Sequence, residues 1–281
     1  MKILFITPVI LLCALCLACA QTPTYKVFAI RFAESTYPFT VGDWAVGGPK
    51  TEAVKINFMV WLIKGNNGRN ILVDAGFVND SDDAKEFKLV NYIRPDSALL
   101  KFGVKPEDIT DIILSHPHWD HINGIDLFPK AKVWMQQEDY NYFVGAAWQK
   151  GADKGGFAQR DVRKIVEMNL AGKLVLVNGD NQAIIPGIKV YTGSRHTFNS
   201  QYVLVNTGLN KVVLASDNIW IYYNLQHLAP AANGTLDRAG YVKAMQRMKN
   251  MVTNARYIIP GHDAKVFSLF PAVANGVVEI R

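Results

Sequence analysis

The chain predicts an α/β protein, with sheets in the middle and helices packed outside them. Three observations carry that expectation. Short β-rich runs bounded by turn residues recur along the chain, amphipathic helical stretches are interleaved with them, and no linker or composition break divides the sequence after residue 20. With 281 residues and 49% hydrophobic side chains the chain can bury a substantial core. Its 21 Gly and 12 Pro exclude collagen-like and low-complexity structure. A single domain over 21–281 is expected.

The first twenty residues are not expected to be part of it. Met1-Lys2 is followed by a mostly apolar run from Ile3 to Leu17 and by Ala18-Cys19-Ala20, a small-x-small ending. That pattern predicts a secretory signal peptide over 1–20, cleaved after Ala20, and hence an exported protein, periplasmic or extracellular. The three cysteines, Cys13, Cys16 and Cys19, would leave with it, so no disulfide, thiol nucleophile or cysteine ligand is expected in the mature chain. A lipid anchor on Cys19 is the alternative and would be the one route to stable membrane association. Losing Lys2 takes the formal charge from +6 to +5. The basic residues are scattered, and the densest stretches, Lys150 to Lys164 and Lys243 to Lys249, are interrupted, by Asp153, Asp161 or apolar positions. A solvated surface follows, with no nucleic-acid partner.

Tyr25 to Phe32 alternates apolar and polar residues and reads as a half-buried strand. Val54 to Ile63 and Asn70 to Asp74 flank Lys64-Gly65-Asn66-Asn67-Gly68, two β-rich runs around an Asn-Gly turn, which predicts a hairpin. Phe87 to Phe102 has helical spacing, with Leu89, Ile93, Leu99 and Leu100 facing inward and Pro95 near a helix start. Asp108 to Leu114 and Lys132 to Met135 read as strands, and Asp161 to Leu170 as a helix. Leu174 to Val177, Ile188 to Tyr191, Tyr202 to Val205 and Val212 to Ala215 return to strands. Leu236 to Val252 places Tyr241, Met245, Met248 and Val252 on one helical face. Tyr257 to Ile259 is a last short strand.

The segment with chemical content is Ser115-His116-Pro117-His118-Trp119-Asp120-His121, directly after a strand. Three imidazoles and a carboxylate within six residues are the donors that zinc and similar cations select, and such a cluster is electrostatically awkward without a cation. The chain has only six histidines. His196 lies beyond the strand Ile188 to Tyr191, and His262 follows Tyr257 to Ile259, as Asp217 follows Val212 to Ala215. Loops at strand ends are where sites are built. His227 alone stands outside this pattern.

The motif His116-x-His118-x-Asp120-His121, followed in order by His196, Asp217 and His262, resembles the metallo-β-lactamase superfamily. So does Leu72-Val73-Asp74-Ala75-Gly76, similar to that family's strand-end Asp-x-Gly turn. The resemblance implies an αβ/βα four-layer sandwich with the metal site at the edge between two sheets. It implies two divalent metal ions, Zn²⁺ foremost. One would be held by His116, His118 and His196, the other by Asp120, His121 and His262, with Asp217 bridging them. Asp120 would also be catalytic, orienting the attacking hydroxide and delivering a proton to the leaving group.

Within the superfamily the chain most resembles the N-acyl homoserine lactonases, which implies a secreted, metal-dependent hydrolase that opens a lactone ring and so quenches quorum signals. Its partner would be a small molecule, with assembly as a homodimer left open. Trp44, Trp148 and Trp220 are candidate walls of the substrate pocket, and Tyr140, Tyr142 and Phe143 lie in the same stretch as Trp148. Lactonases place a tyrosine three residues after the bridging aspartate, whereas this chain has Trp220 there. Tyr222 or Tyr223 is expected to supply the missing hydroxyl. Around the third histidine the chain reads Gly193-Ser194-Arg195-His196-Thr197-Phe198, away from the family's Pro-Gly-His-x-Pro-Gly. The alternatives are a phosphotriesterase resembling methyl parathion hydrolase, a β-lactamase, and a metal-bearing binding protein without turnover.

Overall fold

The computed structural model describes residues 23–281. The leader expected over Met1–Ala20, with its three cysteines, lies outside them. In chain order the strands are β1 (Tyr25–Ser35), β2 (Asn57–Gly65), β3 (Asn70–Val73), β4 (Leu89–Val90), β5 (Asp111–Ile113), β6 (Lys132–Gln136) and β7 (Leu174–Val177). Then come β8 (Gln182–Ile185), β9 (Ile188–Tyr191), β10 (Tyr202–Asn206), β11 (Lys211–Ser216) and β12 (Ile258–Pro260), and lastly β13 (Ala272–Ala274) and β14 (Val277–Ile280). Among the described residues they form two sheets. One runs β13-β14-β1-β2-β3-β5-β6-β7, with β4 paired to β1, and the other β12-β11-β10-β9-β8.

The period-2 geometry of a strand sends successive side chains to opposite faces, and here it sorts the core into layers. From β1 and β2, Phe28, Ile30, Phe32, Phe58, Val60 and Leu62 enter a core under the outer segments, with Leu99, Trp119, Phe143 and Ile165. Their neighbours Val27, Ala29, Met59, Trp61 and Ile63 point the other way, against Val203, Val205, Val212 and Leu214 of the second sheet. On that sheet's far side, Tyr241, Ala244, Met245 and Met248 of the helix Arg238–Lys249 pack on Tyr202, Val213, Ala215 and Ile258. Helices, sheet, sheet, helices: the αβ/βα four-layer sandwich is the arrangement present.

The hairpin of β2 and β3 pairs as expected, Trp61 opposite Val73 and Lys64 opposite Asn70. The expected helix Phe87 to Phe102 is confined to Pro95–Lys101, with Pro95 at its first turn. The residue before a proline avoids helical backbone, and Arg94 is at ψ 138°. Lys88 and Asn91 take left-handed φ of 48° and 52° on either side of β4, which pairs with Glu34 and Ser35 of β1. Leu100 consequently faces solvent, 55% exposed, rather than the core. The strand expected over Asp108 to Leu114 is shorter, because Pro106–Asp108 forms a 3₁₀ turn ahead of β5.

Candidate metal centre

Four chain segments meet where the carboxyl ends of strands from both sheets come together. β5 leads through Leu114 into Ser115 and His116, and His118 opens the short helix Trp119–Ile122, whose first turns carry Asp120 and His121. β9 leads to His196, β11 to Asp217 and β12 to His262. Ser216, at a left-handed φ of 48°, turns the chain sharply at the end of β11 and aims Asp217 inward. Gly261 is needed beside it, since a Cβ there would overlap Asp217 Oδ1.

The seven side chains fall into two groups around one carboxylate. His118 Nδ1 lies 3.1 Å from His116 Nε2 and 3.0 Å from His196 Nε2. Asp217 Oδ2 faces this trio, 3.3 Å from His196 Nε2 and 3.9 Å from His116 Nε2. Its other oxygen, Oδ1, lies 3.0 Å from His262 Nε2 and 3.4 Å from His121 Nε2. Asp120 Oδ2 closes the second group at 3.4 Å from His121 Nε2 and 3.6 Å from His262 Nε2. An ion held about 2.0–2.1 Å from four donors has donor–donor edges of about 3.3–3.4 Å, so these spacings suit two divalent cations. His121 Nε2 and Asp217 Oδ1 are buried, face one another and have no hydrogen-bond partner among the described residues. Buried polar atoms rarely go unpaired, and a cation ligated by both would satisfy them.

The backs of the rings are tied down. His121 Nδ1 lies 2.8 Å from Asp74 Oδ2, His196 Nδ1 2.5 Å from the Gly234 carbonyl, and His262 Nδ1 3.2 Å from the Asn57 carbonyl. Where Nδ1 donates, Nε2 is left with its lone pair free toward the centre. Burial, reinforced by the neighbouring imidazoles, pushes His116 well below the ordinary histidine range and His118 down to about 3. Both are therefore neutral and able to ligate. Burial acts the same way on His121, but Asp120, Asp217 and Asp74 outweigh it and hold the ring well above its ordinary value. Asp217 is buried too, yet His262 and His121 keep its carboxyl well below the usual range, and Asp120 is lowered for the same reason. This half of the cluster attracts positive charge.

The site opens into a cavity of about 370 Å³, walled by Phe39, Trp44, Phe58, Phe87, Trp119 and Trp220, with His118, Asp120, His196, Asp217 and His262 at its floor. Asp43 and Asp153 add two more carboxylates, and among the described residues no lysine or arginine lines it. Of the expected wall residues, Trp44 and Trp220 are there. Trp148 is not: its indole N–H donates to the Phe143 carbonyl at 2.7 Å, outside the cavity. Tyr140 and Phe143 are buried in the core, and Tyr142 stacks on Phe198 at 4.7 Å in an adjoining recess.

Neither Tyr222 nor Tyr223 lines the cavity, so the expected substitute hydroxyl is not supplied by either. They open the helix Tyr222–His227, and neither is among the residues lining the cavity over the metal centre. Tyr222 packs in the core between the sheets, and Tyr223 stacks on His227 at 4.0 Å beside a separate cleft. Two contributions were not evident in the sequence. Asp74 accepts from Ser115 N, Ser115 Oγ and Ser216 Oγ at 2.8–2.9 Å as well as pairing with His121. Trp220 donates its indole N–H to Asp217 Oδ2 at 2.9 Å.

Comparison with known proteins agrees with this geometry. An N-acyl homoserine lactonase of Bacillus cereus is 24% identical over 235 residues, 78% of this chain and 87% of that protein. Metallo-beta-lactamase domain-containing protein 1 of Mus musculus is 34% identical over 98 residues, 30% of this chain and 37% of that one. Among solved structures, a quorum-quenching N-acyl homoserine lactone lactonase superposes with a TM-score of 0.69 at 18% identity, over 90% of this chain and 97% of that one. The hydrolase AbOPH in the beta lactamase superfamily gives 0.64 at 17% identity, over 91% and 92%. The pattern of the metallo-beta-lactamase superfamily matches residues 59–262. That match runs from β2 to His262, the last of the seven clustered side chains, and this chain belongs to the metallo-β-lactamase superfamily of metal-dependent hydrolases.

Proposed function

We propose that this hydrolase is exported and opens neutral cyclic esters, N-acyl homoserine lactones first among them, with two zinc ions at the seven-ligand centre. The observation that carries the substrate class is the charge of the cavity. Beyond Asp120 and Asp217, whose charge the cations would offset, it is lined by Asp153 and by Asp43, which pairs with Lys50 at 3.2 Å, and among the described residues by no lysine or arginine, so the walls away from the cations offer a substrate carboxylate no counter-charge. That disfavours a β-lactam and suits an uncharged lactone. The similarity to N-acyl homoserine lactonases supports the same reading.

Cations held by these residues supply Lewis acidity and make hydroxide available near neutral pH. The chain supplies the rest. Asp120 lines the cavity and its side chain keeps 11% exposure. It is placed to orient an attacking water and to return a proton to the departing alkoxide. Trp44 and Trp220, edge to face at 5.1 Å, wall the cavity beside His262 and His196 with apolar surface. Because the Trp220 N–H is engaged with Asp217, this side chain offers a substrate its ring rather than a donor.

Side-by-side turnover of an acyl homoserine lactone, an aryl phosphotriester and a chromogenic cephalosporin tests the reading. The lactone should lead, and Asp120→Asn should lower its turnover by about 10²–10⁴-fold. A leading cephalosporin would contradict it. The six aromatic walls favour a second reading, an aryl phosphotriester, which is also neutral. Export is tested by N-terminal sequencing of protein recovered outside the cytoplasm, which should begin at Gln21.

A further inference from the structure

The two oxygens of Asp217 are not equivalent. Oδ2 accepts the Trp220 indole N–H at 2.9 Å while facing His196 and His116. Oδ1 accepts no hydrogen bond from the described residues and faces His262 and His121. Trp220 cannot easily relinquish this bond. Trp44 meets it edge-on at 5.1 Å, His196 at 5.7 Å, and Gly234 closes over it so tightly that a Cβ there would overlap the indole ring. The same Gly234 receives His196 Nδ1 on its carbonyl, so one residue seats both the indole and the ligand ring beside Oδ2.

An N–H donated to a carboxylate oxygen lowers its basicity, drawing on electron density that the oxygen would otherwise give to a cation. The second group already has more negative charge around it, since Asp120 belongs to it along with the undonated Oδ1. We propose that Trp220 is a positioning residue that makes the two cation sites unequal, so that the cation at His116, His118 and His196 is the more weakly held. Zinc then fills Asp120, His121, His262 and Asp217 Oδ1 first, and the trio second. The inference rests on the two-cation centre of the proposed function but not on the identity of its substrate.

The test is a zinc titration of metal-free, full-length mature protein against a chromogenic chelator, which reads two stepwise affinities without any substrate. Trp220→Phe should tighten the weaker step by about tenfold, the scale of one charge-assisted hydrogen bond, and leave the tighter step within about twofold. A variant with benzothienylalanine at position 220 keeps the bicyclic shape, replaces the N–H by sulfur, and should behave like Trp220→Phe even if the smaller ring disturbs packing. His196→Ala should abolish the weaker step and His262→Ala the tighter one. An unchanged weaker step in both position-220 variants, or both steps moving together, would overturn the role of Trp220. Loss of the tighter step in His196→Ala would overturn the order. Uptake of a single zinc ion by the unaltered protein would overturn the two-cation centre and this inference with it.

Discussion

Asp74 illustrates how much of the centre depends on a residue that need touch no cation. Its carboxylate holds Ser115, Ser216 and His121 at once, linking the end of β5 to the end of β11 across the two sheets. Asp74→Ala would leave those partners buried and unpaired. It should cost about 3 kcal/mol in urea unfolding, and about 10–100-fold in zinc affinity, because the orientation of His121 is lost. Gly261→Ala acts more locally, pushing Asp217 Oδ1 out of place. Its expected signature in a zinc titration is weakening of both steps, where Trp220→Phe changes one. The seven residues that cluster were legible in the sequence because imidazole is rare here and its clustering has few structural explanations. Asp74 was visible as part of a turn pattern, but its role depends on Ser216, 142 residues away. Tyr222 and Tyr223 were misjudged because nearness to Asp217 along the chain carries no information about direction, which the helix Tyr222–His227 sets.

The loop bearing His196 is fastened to a different element. Asp139, on the helix Gln137–Val144, accepts from Thr197 Oγ1 at 2.7 Å and from Asn199 N at 3.1 Å. Burial raises its carboxyl from 3.8 to about 6 despite those donors. A carboxyl raised on folding binds more protons in the native than in the unfolded chain between those two values. Its contribution to stability is therefore full below about pH 4 and is lost as pH rises through 6. The stability difference between the unaltered chain and Asp139→Asn should shift against the unaltered chain by about 2 kcal/mol from pH 4 to pH 7, measured by urea unfolding. A difference independent of pH would contradict this. At this scale the strongly alternating strands and the amphipathic face of Tyr241, Met245 and Met248 were readable. β8, β13 and β14 were not. Gln182–Ile185 and Ala272–Ala274 are short and largely exposed, and a brief edge strand takes its structure from its neighbour rather than from its own pattern.

Over the whole molecule the centre joins two halves that otherwise meet through an apolar interface. His116, His118, Asp120 and His121 follow β5 in the first sheet, while His196, Asp217 and His262 follow β9, β11 and β12 in the second. Each cation bound only by the folded chain stabilises it by about 4 kcal/mol at a thousandfold excess over its dissociation constant. Removing both with a chelator should lower the melting temperature by about 20 °C for a chain of this size, and zinc should restore it. The four-layer arrangement was legible only through the likeness of the ligand motif to a known family. Alternation within strands shows that two faces are buried but not which sheet covers which.

The central claim is that seven side chains from both sheets hold a pair of cations through one shared carboxylate. Elemental analysis of purified, zinc-saturated protein tests it most directly. Two ions per chain, falling to one or none in Asp217→Ala, is the expected result, and a single ion or none in the unaltered chain would contradict it.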